Sequence, residues 1–283
     1  MPLFLFVSGR FTKKQSLNKS IIKIVYLLET YIVFQIFNHF NSDIVECRPI
    51  SLWFRLPATV SWYLLTLVYY KLLIAVSPAK LLTRHQIIIP ALIVLSLLAG
   101  FSPLSYDYST QRTLVYMIFF YLGYCTKDKD FTELFRWLRP WMSFVIIGCF
   151  FLFFYFSGLD ISKIASCARN YYQIPDYGYM KIMLIRGFVL LSAVVLSLCI
   201  MKLTEYLKGL PFITPIGQTT LLIYIYHIFF AKTYQHFNNI MDVPNGVVAC
   251  IIYSLVTLAI VMLMSRLSFF SWVLNPISKT YRL

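Results

Sequence analysis

Eight unbroken apolar runs, at 20–38, 52–70, 86–101, 112–126, 137–157, 182–202, 217–233 and 247–268, occupy most of this 283-residue chain. Their length suits a hydrocarbon core of about 30 Å, which roughly 20 helical residues cross. Strands do not fit, because the runs are continuous rather than alternating and are too long. With 59% of residues hydrophobic and 13% charged, there is too little polar surface to cover a water-soluble domain of this size. The sequence therefore predicts an all-α fold: a multi-pass transmembrane helical bundle of about eight spans, forming one domain over 1–283. The same figures exclude disordered and collagen-like chains.

A formal net charge of +14 would elsewhere point to nucleic acid. Sorted by loop, it becomes a topology signal instead. Arg10, Lys13, Lys14, Lys19 and Lys23 precede or open the first run, and Lys71, Lys80 and Arg84 follow the second. Lys127, Lys129, Arg136 and Arg139 follow the fourth, Lys202 and Lys208 the sixth, and Arg266, Lys279 and Arg282 the last. These alternate loops hold 17 of the 25 basic residues. The positive-inside bias puts residue 10 and the C-terminus in the cytoplasm, in an inner or cytoplasmic cell membrane. No nucleic-acid partner is needed to explain the charge.

Residues 1–9, Met-Pro-Leu-Phe-Leu-Phe-Val-Ser-Gly, are apolar yet too short to span. They read either as the last turns of a helix arriving from outside or as an amphipathic stub on the membrane. With no basic stretch before them and no small-residue cleavage site after, they are not a recognisable signal peptide.

Ionisable groups at membrane depth are costly and usually functional. Glu29 falls near the middle of the first run, and calls for either a structural ion pair with a basic residue on a neighbouring helix or a polar cavity. Arg55, Arg112 and Arg186 sit near the outer ends of their runs. Two readings are open for them: each singly snorkels to headgroups, or the three converge on an anionic acceptor such as a lipid-linked phosphate or an acidic sugar. His227 is the one histidine inside a run, with Tyr224 three residues earlier on the same helix face. A neutral histidine there is either a packing residue or a general base. Thr219, after Ile216-Gly217-Gln218, is a candidate helix cap.

The longest polar connection, 158–181, carries Tyr171, Tyr172, Tyr177 and Tyr179. Interfacial anchoring and stacking on sugar rings are both open for them. Cys125, Cys149, Cys199 and Cys250 lie in or beside apolar runs and behave as small hydrophobes, while Cys47 and Cys167 would pair only in an oxidising compartment. No Cys/His cluster has ligand spacing, so no metal site is expected.

Four segments, in order, resemble the acyltransferase-3 family, integral-membrane enzymes that O-acylate carbohydrates. Met1-Pro2-Leu3-Phe4-Leu5-Phe6-Val7-Ser8-Gly9-Arg10-Phe11 is similar to the family stretch MPLFFFISGYF. Trp62-Tyr63-Leu64-Leu65, continuing to Tyr70-Lys71-Leu72-Leu73, resembles a WYL helix ending in a basic residue, with Lys71 in the basic place. Arg112 followed by Phe119-Phe120-Tyr121-Leu122-Gly123-Tyr124 resembles R…PFFLLGY, with Ile118 where proline is usual. Ile216-Gly217-Gln218-Thr219-Thr220-Leu221 to Tyr224-Ile225-Tyr226-His227 resembles iGk.Sl.iYl.H. Within the family the chain looks most like the fucose 4-O-acetylase branch.

The resemblance implies transfer of an acyl group, acetyl from acetyl-CoA as donor substrate, to a sugar hydroxyl of a cell-surface polysaccharide or its lipid-linked precursor. No bound cofactor is implied. His227 would be the catalytic residue, with Lys71, Arg112, Tyr224 and Glu29 at the substrates. Lys80 would join Lys71 in steering the anionic coenzyme. Family members have about ten helices, and the MPLFFF segment ends their second. The resemblance thus implies an N-terminally incomplete domain, lacking a basic residue and histidine pair that engage the donor. Two alternatives stand beside it: a polysaccharide transporter or lipid-linked-glycan flippase, and a non-catalytic remnant of the family.

Overall fold

The computed structural model describes residues 1–45, 57, 61–103, 107–127, 133, 136–156, 164, 166–174, 178–207, 216–217, 219–241, 247–267 and 269, leaving aside the side chains of 42–45, 154, 237–241 and 247–248. Arg55, Cys47, Gln218 and Tyr177 lie outside the described residues. Ten α-helices are described: α1 Pro2–Arg10, α2 Leu17–Val45, α3 Trp62–Val76, α4 Ala79–Leu82, α5 His85–Leu98, α6 Thr110–Cys125, α7 Pro140–Phe156, α8 Tyr179–Tyr206, α9 Thr220–Met241 and α10 Val247–Ser265. Among the described residues there are no strands, so the fold is all-α.

Each apolar run contributes a helix, but length divides them. Leu17–Asn41 and Tyr179–Tyr206 are long and apolar enough to cross a membrane. Trp62–Val76, His85–Phe101, Pro140–Phe153 and Ala249–Ser265 are apolar and shorter. The outward faces are apolar as well. Phe144, Phe151 and Phe156 on α7, Leu184 and Leu191 on α8, and Leu255 and Leu263 on α10 are all exposed, a surface that water would not tolerate at this extent. Polar side chains take the opposite position. Thr30, Gln35, Asn38, Ser61, Thr66, Gln111, Ser143 and Arg186 are buried. Apolar outside and polar inside, with two spanning-length helices, mark a membrane protein.

The chain packs as two compact units. The first combines Met1–Ser20 with Tyr69–Gly209, and the second combines Ile21–Val68 with Leu210–Leu283.

In the first unit α1 lies against α6 and α8, with Leu5 fully buried, so this short helix is a packed element. Leu3 and Phe6 of α1 join a core around Leu138, Cys199 and Met201. Helix α5 lies against α6, and the Ser96 hydroxyl donates to the carbonyls of Leu92 and Val115 at 2.7 and 2.9 Å. Tyr70, at the middle of α3, donates to the Thr113 carbonyl at 2.6 Å and tilts its ring against Phe120. After α7, residues 166–174 form a short, partly buried segment containing one 3-10 turn, Tyr171–Gln173. That turn is closed by a reciprocal cap between Asn170 and Gln173, the capping-box arrangement.

In the second unit, α9 and α10 lie side by side, with Tyr234 stacked on Tyr253, ring centroids 4.3 Å apart. Phe37 of α2 packs against Tyr226 and Phe229 of α9. Residues 61–68 of α3 are buried on every side, the pattern of a helix enclosed by its neighbours.

Candidate functional site

Helices α2, α3 and α9 bring a set of polar groups together within the second unit. The Ser61 hydroxyl donates to Gln35 Oε1 at 2.7 Å, and Gln35 Nε2 sits 3.1 Å from His39 Nε2. Two residues on from Ser61, the Tyr63 ring meets Tyr224 edge-on, centroids 5.3 Å apart. Tyr224 in turn lies 5.9 Å from the His227 ring, as three-residue spacing on a helix requires. His227 Nδ1 is 3.1 Å from the Ile223 carbonyl. A carbonyl only accepts, so Nδ1 carries a proton, and in the neutral ring the lone pair is then on Nε2, the tautomer a general base needs. The ring is half-buried. Glu29 is also in this unit and is buried, as are its neighbours Thr30 and Tyr31. Thr219 immediately precedes α9, where its carbonyl receives the Ile223 amide, as the residue at a helix N-cap does, and its hydroxyl donates to the Ile216 carbonyl at 3.2 Å.

Lys71 and Arg112 fall in the first unit, both half-buried. Arg112 lies in the first turn of α6, where its Nε donates to the Ser166 carbonyl at 3.2 Å. Arg186 does not snorkel. It is fully buried, with Nη2 donating to the Arg169 carbonyl at 2.8 Å and its guanidinium lying 4.5 Å over the Tyr171 ring. Tyr171 is equally buried, so it is no interfacial anchor, whereas Tyr172 and Tyr179 are exposed and meet edge-on. The Tyr171 hydroxyl donates to the Leu97 carbonyl at 2.8 Å.

Cys167 completes this cluster as a free thiol that donates to the Ile164 carbonyl at 3.5 Å. Burial pushes the thiol up from its ordinary pKa, against the pull of Arg186, Tyr116 and Arg112. Burial likewise raises Tyr171, opposed by Arg186. Gln111, beside Arg112, is fully buried, and neither amide atom finds a partner among the described residues.

At the other end of α6 the fold makes a contact that spacing does not announce. His85 Nδ1, at the start of α5, is 3.0 Å from both the Cys125 thiol and the Tyr121 hydroxyl, and Tyr121 donates to the Leu82 carbonyl at 3.1 Å. Cations surround this end. Arg10 bonds the Thr126 carbonyl, Lys14 bonds the Ser77 carbonyl, and Lys127 lies 4.3 Å over the Tyr124 ring. Lys80 and Arg84 are exposed nearby in sequence. The clusters around Arg186 and His85 escape sequence reading because their members lie far apart along the chain. Among the described residues no group of three or more His, Cys, Asp or Glu is placed to hold a metal ion.

The model of the acyltransferase-3 family, described as an acyltransferase domain, matches residues 1–266 of the chain. No curated protein and no solved structure gives a match. The family match covers almost the whole length, and the chain belongs to that family.

Proposed function

We propose that this member of the acyltransferase-3 family is a membrane O-acyltransferase of the fucose 4-O-acetylase type. It moves an acyl group, acetyl from acetyl-CoA, from the cytoplasm to a sugar hydroxyl of a cell-surface polysaccharide or its lipid-linked precursor. The observation that carries the reading is the His227 ring bond: Nδ1 is bound to the Ile223 carbonyl, so the neutral ring carries its lone pair on Nε2, in a chain whose family transfers acyl groups. In the reaction, His227 Nε2 takes the proton of the acceptor hydroxyl as its oxygen attacks the thioester carbonyl. The carbon–sulfur bond then breaks, and the coenzyme thiolate leaves with a proton returned from the imidazolium.

Tyr224 lies against His227 and Tyr63 and orients the sugar hydroxyl. Glu29, buried on α2, accepts a further sugar hydroxyl. Lys71, with Lys80, draws in the phosphates of the donor by electrostatic steering, and Arg112 engages the acceptor. The eight apolar helices span the bilayer, with residue 10 and the C-terminus in the cytoplasm as the basic loops direct.

The test compares surface polysaccharide by NMR in parent, deletion and complemented strains. Loss of O-acetyl signals on deletion, with the polymer still made, is the expected result. Normal acetylation of a reduced amount of polymer would overturn the reading in favour of transport.

A further inference from the structure

Arg186 is the least comfortable group among the described residues. It is 0% exposed, and only Nη2 has an acceptor; Nε and Nη1 have no hydrogen-bond partner among the described residues. A desolvated guanidinium in this state costs stability that an apolar side chain of similar size would not. Its retention therefore calls for a use. The second guanidinium, Arg112, reaches the same segment, its Nε donating to the Ser166 carbonyl at 3.2 Å.

The two arginines hold the same short segment by backbone carbonyls three residues apart, Ser166 for Arg112 and Arg169 for Arg186. Tyr171 fastens the far side of that segment through its hydroxyl on Leu97 and its ring under Arg186. Neutral carbonyls are weak partners for guanidinium, and charge-assisted bonds to an oxyanion are roughly twice as strong. The planar guanidinium fork also matches two oxygens of a phosphate or carboxylate.

We propose that residues 166–174 form a lid over a two-arginine oxyanion site, opened when an anionic group of the acceptor takes Arg112 and Arg186 from the carbonyls of Ser166 and Arg169. The unpaired Arg186 nitrogens supply donors that the closed lid leaves idle. The ligand class is an oxyanion next to a sugar: the phosphate of a lipid-linked glycan or the carboxylate of an acidic sugar. The acceptor's identity as a glycan rests on the acyl-transfer reading. The lid and its trigger do not.

Cys167 reports on the lid, because it is enclosed when residues 166–174 are closed. The full chain is placed in nanodiscs of phosphatidylcholine and treated with N-ethylmaleimide, and Cys167 modification is followed by peptide mass spectrometry. The probes are polyprenyl phosphate with polyprenol as its neutral control, and a glucuronate oligosaccharide with its glucose counterpart. One anionic probe is expected to speed modification saturably, by about tenfold, while its neutral control does nothing. Which one acts identifies the source of the anion.

Arg186→Gln should abolish the response. Should that variant fail to fold, Arg112→Gln, at the half-buried rim, should raise the concentration of probe required. No acceleration by either anion, or a response in both arginine variants equal to that of the parent protein, overturns the proposal. A lid response without any acyl transfer would leave this site standing and sink the proposed function. Acyl transfer without a lid response would do the reverse.

Discussion

Gly9 of α1 and Gly123 of α6 sit at the same helix crossing, each against the backbone of the other's helix. A Cβ on Gly9 would fall 2.0 Å from the Phe120 carbonyl oxygen, and a Cβ on Gly123 would fall 1.9 Å from that of Phe6. Neither obstacle is a side chain that can swing away. The two family-like stretches at the N-terminus and in α6 therefore meet through their glycines, as close helix crossings in membranes require. Arg10 closes the same contact by bonding the Thr126 carbonyl.

Gly9→Ala and Gly123→Ala should each destabilise the protein by about 1–3 kcal/mol, because the helices must move apart. The double variant should cost less than the sum, since one separation accommodates both methyl groups. A Cβ on Gly148 in α7 would meet nothing within 4 Å, so Gly148→Ala should be neutral or slightly stabilising through helix propensity. Thermal unfolding in detergent checks all four variants.

Tyr171 should prove sensitive in two ways. Tyr171→Phe removes the bond to the Leu97 carbonyl and should cost about 1 kcal/mol. Gly100→Ala should do more damage, because its Cβ would lie 2.3 Å from the Tyr171 ring and force the ring from its seat under Arg186. Limited proteolysis within 166–174 should quicken in both, and most in Gly100→Ala.

His227→Gln should lower kcat by about 10²–10⁴-fold at normal protein levels, the usual worth of a general base. Tyr224→Phe keeps the ring contact with Tyr63 and should cost far less. Acyl transfer from labelled acetyl-CoA, measured with acceptor in membranes, reads both. Full activity in His227→Gln would remove it from the chemistry.

Reactivity of Cys167 should follow its burial. Its pKa is raised above the ordinary thiol value, so at pH 7–8 it is held as the neutral, unreactive thiol. Raising the pH should increase alkylation of Cys167 later than that of an ordinary cysteine, whose thiolate appears first. Denaturation should abolish the difference. Peptide-resolved alkylation between pH 7 and 9.5 tests the order.

Much of this architecture is already legible in the residues. The apolar runs at 86–101, 112–126 and 182–202 become α5, α6 and α8 within a few positions, because hydrophobic length and helix period are local properties. The pairing of Tyr224 with His227 is legible for the same reason. Boundaries differ where polar residues continue a helix. The first run, read as 20–38, belongs to a helix from Leu17 to Val45, whose later turns carry Gln35, Asn38 and Asn41 buried in the protein. Hydropathy scores such residues as an end, although the protein interior encloses them.

The sequence by itself determined the solvent, the helical class and the family, since composition, run length and ordered motifs need no knowledge of contacts. Tertiary structure alone decided which groups meet. Arg186 would snorkel on an isolated helix, yet it is drawn under Tyr171 and the Arg169 carbonyl. His85, in a loop by sequence, reaches Cys125 forty residues away. Glycine at positions 9 and 123 is explained by a helix crossing that no local pattern encodes. Contacts between distant residues depend on how the helices pack, and that is fixed by the sum of many weak interactions rather than by any one segment.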